Sequence, residues 1–167
     1  MSLDAAQRRA LLAYPAGWIA TGFGAGLAPV APGTVGSAVA LIPYCLWLRD
    51  LPLAGYFVAV ALVFALGIAA SRVVVARTGV QDPGFVVVDE FVGQWLALAL
   101  APPAWWWILA GFILFRIFDV WKPWPVSWAD RNVHGGLGVM LDDALAGVMA
   151  GAALAAVAHL VQLLLNK

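Results

Sequence analysis

The sequence predicts an all-α integral membrane protein of about five short transmembrane helices, with an N-terminal interfacial helix and a glycine-rich re-entrant loop. Three observations carry this. The hydrophobic content is 64% and the mean hydropathy +0.94, outside the range of soluble globular chains. Apolar runs of near-spanning length are separated by proline and charge. The charged residues are gathered into a few short stretches. At 167 residues the chain fits one domain, 1–167.

The formal net charge is zero, and no extended basic run offers the counterion-displacing surface a nucleic acid requires. No nucleic-acid partner is therefore expected. The single cysteine, Cys45, lies in an apolar segment and is expected to be inert packing.

Taken in order, Ser2 can cap a short helix whose apolar positions Leu3, Ala6, Ala10 and Leu11 recur at helical spacing, as in a segment lying on a membrane surface. Arg8-Arg9 and the early Asp4 do not make a secretory signal. The glycine- and proline-rich stretch from Gly17 to Ser37 cannot be one regular helix. Within it Pro32-Gly33-Thr34 places free N–H groups and a hydroxyl at a helix N-terminus, where anions bind well. Gly33, Thr34 and Ser37 are thus candidate phosphate contacts; a re-entrant turn packed between helices is the alternative. Thr34–Trp47 and Leu51–Ala70 read as a transmembrane hairpin. Asp82-Pro83 reads as a helix start, and a helix from there to Ala101 would be about 30 Å long. A helix from Ala104 to roughly Val120 returns, its Trp105–Trp107 run suiting an interfacial belt. Ala144–Leu165 makes a last span.

Five crossings with the N-terminus inside put Arg8, Arg9, Arg72, Arg77, Arg116, Lys122 and Arg131 on one side and only Arg49 and Lys167 on the other. The positive-inside rule favours that orientation. It brings the glycine loop, Asp89-Glu90 and the stretch from Phe115 to Gly147 to one cytoplasmic face.

Two acidic pairs, Asp89-Glu90 and Asp142-Asp143, enter or open apolar helices, each with a glycine one turn on: Gly93 after Asp89, Gly147 after Asp143. Small residues there let helices approach closely. Converging carboxylates suit a magnesium ion. Each carboxylate in the bilayer costs about 2.5–3.5 kcal/mol on insertion scales, so compensation is required. From Arg72 through Asp143 the inner-face motifs hold seven acids against five bases, an excess that leaves room for one divalent cation. Ion pairing is the alternative, and Arg116 with Asp119, three apart on one helix face, is a candidate pair.

The cations Arg116, Lys122 and Arg131 suit a phosphate group. Lys122 is fixed at a helix end by Pro123 and Pro125, although simple snorkelling would also place it there. His134, in a glycine-rich turn near the second acidic pair, suits a proton donor or a structural hydrogen bond. His159, alone on an apolar helix, reads as structural.

Three blocks, 21–37 (TGFGAGLAPVAPGTVGS), 86–95 (VVVDEFVGQW) and 115–147 (FRIFDVWKPWPVSWADRNVHGGLGVMLDDALAG), make the chain similar to the phosphatidylglycerophosphatase A family, over nearly its whole length. The resemblance implies a Mg²⁺-dependent phosphomonoesterase that removes the terminal phosphate of phosphatidylglycerophosphate, a membrane lipid, at the cytoplasmic face of a bacterial inner membrane. On that reading Asp89, Glu90, Asp142 and Asp143 are assigned to the metal, Arg116, Lys122 and Arg131 to the phosphate, and Asp119 to the catalytic set. A metal-activated water and a covalent aspartyl-phosphate on Asp89 or Asp142 both remain open. Motifs of the acid-nucleophile and histidine phosphatases and of the CDP-alcohol phosphotransferases are absent. A small transporter or channel subunit is the rival class, since carboxylates and glycine-broken helices also line ion paths.

Overall fold

The computed structural model describes residues 5–166; the predicted Ser2 cap, Leu3, Asp4 and the outer charge Lys167 lie outside the described residues. Among them the regular structure is entirely helical. A short helix α1 (Ala5–Leu12) leads into α2 (Pro15–Ala20), which starts on the proline whose missing N–H costs nothing at a first helical position. The glycine-rich stretch then winds through a 3₁₀ turn, Ala25–Leu27, with positive φ at Gly22 and Gly24, a conformation glycine adopts without a Cβ clash. It delivers the chain to α3 (Pro32–Leu46), again with proline in its first turn.

Helix α4 (Leu53–Thr78) follows and ends on Gly79 at φ 70°, a left-handed C-cap. Then come α5 (Val88–Leu98), α6 (Trp105–Trp121), α7 (Val126–Asn132) and α8 (Gly135–Leu165). Two of these, α4 and α8, are long and apolar enough to cross a membrane.

The short helix α5 is the centre of the molecule: it packs on α3, α4, α6 and α8, and nearly all its residues are buried. Side-chain bonds to backbone tie its neighbours to it. The Trp95 indole donates to the Ala40 carbonyl at 2.8 Å, and the Tyr56 hydroxyl donates to the Trp95 carbonyl at 2.6 Å. Buried aromatic polar tips are thereby satisfied without a second polar side chain.

Two boundaries depart from the sequence expectation. The helix expected from Asp82-Pro83 to Ala101 starts only at Val88 and ends at Leu98, giving about 16 Å at 1.5 Å per residue. The Val87 N–H is donated to the Ala20 carbonyl at 2.8 Å. Together with Gly84 and the β-branched Val86 and Val87, which disfavour helix, this keeps 81–87 out of the helix, in bends and a turn closed by the Val86 N–H on the Pro83 carbonyl. The last helix starts at Gly135, nine residues before the expected Ala144, so Asp142 and Asp143 lie well inside it. Its glycines resemble a turn signal, but Gly136 serves close packing: a Cβ there would strike the Ile68 carbonyl.

Candidate active site

Helices α5 and α8 cross at glycines. A Cβ on Gly147 would strike the Gly93 carbonyl, and one on Gly93 would come within 2.7 Å of the Asp143 carbonyl. Such an approach is open only to residues without a side chain. One turn back along each helix stand Asp89 and Asp143, both buried, with Glu90 beside Asp89. One carboxylate oxygen from each of Asp89, Glu90 and Asp143 lies within 4.8 Å of the other two. Glu90 Oε2 and Asp143 Oδ2 are buried with no hydrogen-bond partner.

Three carboxylates at this separation repel, and a buried unpaired one is costly. An all-oxygen donor set with unsatisfied lone pairs fits a hard divalent cation. The cluster can hold a metal ion, and its orphaned oxygens are what an ion would satisfy.

Arg116, on α6, borders this cluster. Its Nη1 lies 2.7 Å from Asp119 Oδ2 and 4.0 Å from Glu90 Oε1, and donates to Ser37 Oγ at 3.3 Å. The ion pair with Asp119 is the i,i+3 pair expected from spacing. Ser37 Oγ in turn donates to the Gly33 carbonyl at 2.9 Å. The first turn of α3 therefore packs directly on the Arg116–Glu90 pair: a Cβ on Gly33 would strike Glu90 Oε1 and lie 3.3 Å from Arg116 Nη2. Gly33 and Ser37 are thus at the cluster, while Thr34 is exposed.

Lys122 occupies a different place from a free phosphate ligand. It closes α6 with a left-handed backbone, φ 48°, and its ammonium donates to Asp142 Oδ2 at 2.8 Å and to Asp130. Partial burial would lower the ammonium's affinity for its proton, but the two carboxylates more than offset this and hold it above its ordinary range. The same bond separates the second acidic pair: Asp143 joins Asp89 and Glu90, while Asp142 turns to Lys122. Asp119 also reaches toward Asp143.

Asp130 and Asp142 line a cavity of about 60 Å³ together with Gln81, Asp82 and His134. His134, the N-cap residue of α8, is exposed there. Arg131 is exposed on α7, with no ion pair among the described residues. Sequence reasoning missed Gln94, which is fully buried with both amide atoms unpartnered. Its one signal was a polar residue four beyond Glu90 in an otherwise apolar helix.

The family model described as phosphatidylglycerophosphatase A matches residues 18–158. The chain belongs to the phosphatidylglycerophosphatase A family. The matched span contains all three blocks that supply the site. Phosphatidylglycerophosphatase A of Escherichia coli strain K12 is 44% identical over 157 residues, covering 93% of this chain and 91% of that protein. Phosphatidylglycerophosphatase A of Haemophilus influenzae is 42% identical over 140 residues, covering 83% and 86%. No solved structure shows a significant match. As a member of this phosphatase family the chain is an enzyme.

Proposed function

We propose that this chain is a Mg²⁺-dependent phosphatidylglycerophosphatase, hydrolysing the terminal phosphomonoester of phosphatidylglycerophosphate to phosphatidylglycerol and phosphate at the cytoplasmic face of a bacterial inner membrane. The observation that carries this reading is the buried oxygen triad of Asp89, Glu90 and Asp143 with orphaned atoms, set against the Arg116 guanidinium. Family membership supports the substrate. The length and apolar surface of α4 and α8 support a multi-pass membrane enzyme: Leu62 and Leu66 on one and Leu160 and Leu164 on the other face outward. Basic residues concentrated at the triad's end of the chain topology support the cytoplasmic orientation.

In this proposal Asp89, Glu90 and Asp143 hold the metal, and Asp142 stays with Lys122 outside the ligand set. Bound Mg²⁺ would supply charge neutralisation for the transferring phosphoryl group. Arg116, fixed by Asp119 and Ser37, turns its remaining N–H groups to the phosphate oxygens, a planar match that suits arginine. The first-turn amides of α3 at Gly33 and Thr34 add donors at the positive end of a helix. Arg131 at the rim draws in the anionic headgroup. Water attacks phosphorus opposite the glycerol oxygen and keeps one proton as the hydroxyl of the released phosphate; the bond to the glycerol oxygen breaks, that oxygen takes a proton from His134, and the water's other proton passes through solvent to restore His134. Lys122 holds Asp142 and Asp130 in place at the His134 cavity.

The test is phosphate release from phosphatidylglycerophosphate in detergent micelles, with Mg²⁺ or with EDTA, for the wild type, Asp89→Asn and Asp143→Asn. Activity should require Mg²⁺ and fall by about a hundredfold or more in either variant, as expected when transition-state charge stabilisation is lost. Full turnover in EDTA would remove the metal from the reading. A preparation that cleaves other lipid phosphates but not this one would reassign the substrate.

A further inference from the structure

A second cavity, of about 470 Å³, lies between α1 and the end of α4, away from the carboxylate triad. Its volume falls in the range of small-molecule sites. One wall is a helical stripe, Gln7, Ala10, Leu11 and, just past the helix end, Tyr14; the other includes Arg77 and Phe85. Its lining is predominantly apolar, with a cation at one end.

The Arg77 guanidinium lies over the Tyr14 ring, 4.3 Å from its centroid. A cation–π contact uses the face of the guanidinium and leaves the in-plane N–H fork free to donate. Among the described residues no acidic side chain pairs with Arg77, and the residue is exposed. An oriented fork with no acidic partner among the described residues, beside an apolar cleft, is complementary to an amphipathic phosphate ester, not to a neutral lipid.

The loop from Gly79 to Val87 joins this cavity to the active site. It begins beside Arg77, sends Gln81 and Asp82 to the His134 cavity and Phe85 to this one, and ends two residues before Asp89.

We propose that the α1/α4 cavity binds an anionic phospholipid of the surrounding bilayer, its phosphodiester on Arg77 and its apolar part along Leu11 and Phe85, at a site separate from the catalytic one. The proposal rests on the membrane reading above, but not on turnover. Its occupant is a resident lipid that packs α1 against α4 and steadies the loop leading to Asp89.

Native mass spectrometry of the purified full chain in neutral detergent, titrated with phosphatidylglycerol or phosphatidylcholine of matched acyl chains, tests it. The wild type should retain phosphatidylglycerol preferentially. Arg77→Gln should lower that retention about tenfold, the scale of losing a charge-assisted hydrogen bond. Ala10→Trp, which fills the cavity from the exposed face of α1 and leaves Arg77 intact, should do the same and carries the test if Arg77→Gln does not fold. Arg116→Gln, at the catalytic site, should leave the preference unchanged. Equal retention of the two lipids by the wild type, an intact preference in Ala10→Trp, or its loss in Arg116→Gln would each overturn the proposal, the last by putting the lipid in the catalytic site.

Discussion

Gly93 and Gly147 meet backbone to backbone where α5 crosses α8, and that contact sets the distance between Asp89 and Asp143 one turn away. Gly147→Ala would drive a methyl group into the Gly93 carbonyl. Overpacking of this kind costs about 1–3 kcal/mol, so the variant should melt lower in detergent and lose activity as the carboxylates are spread. Gly55→Ala is the control. Its added Cβ meets only ordinary contacts at 3.9 Å, and thermal melting should show no loss.

The split of the second acidic pair makes a metal-titration prediction. Asp143→Asn removes a member of the triad, whereas Asp142→Asn removes a partner of Lys122. The Mg²⁺ concentration for half-maximal activity should rise at least about tenfold more in Asp143→Asn than in Asp142→Asn, a difference of about 1.4 kcal/mol. Equal shifts would return Asp142 to the ligand set.

Arg116 reaches Asp119, Glu90 and Ser37 at once through a planar guanidinium. An ammonium on the same side chain has no such fork, so Arg116→Lys is not conservative here. Steady-state kinetics should show a higher KM for the lipid phosphate and a lower kcat. Ser37→Ala, which loses one hydrogen bond of about 1 kcal/mol, should show a much smaller version of the same change.

Lys122, at the interfacial end of α6, holds its proton more tightly in the folded chain than its ordinary value of 10.5. A raised folded value contributes stability that is fully present below the unfolded value and is lost as pH rises through the folded one. Lys122→Met should therefore lower the melting temperature by a constant amount between about pH 6 and 9, with the gap to wild type closing above about pH 10.5. A gap that changes on the acidic side of neutrality would place the effect elsewhere.

Much of the site was legible because its chemistry is written locally. Asp89-Glu90 and Asp142-Asp143 stood out as carboxylates in apolar helices, where charge must be compensated. The Arg116–Asp119 pair followed from i,i+3 spacing, and the α3 N-terminus from Pro32-Gly33. What was not legible depended on neighbours distant in sequence. The Pro83 start signal was overridden because the Val87 N–H is taken by Ala20. Gly136 read as part of a turn until the close approach of α4 explained it.

The sequence by itself determined that the chain is helical, apolar beyond any soluble norm, and equipped with clustered carboxylates and arginines suited to a phosphate, since composition, spacing and charge placement are properties of the chain alone. Only the tertiary structure decided that α5 is a short buried centre and that Asp143 and not Asp142 joins Asp89 and Glu90. That choice is physical. Adjacent residues on a helix point about 100° apart, so Asp142 and Asp143 leave α8 in different directions: Lys122, at the end of α6, takes Asp142, while Asp143 faces Asp89 and Glu90.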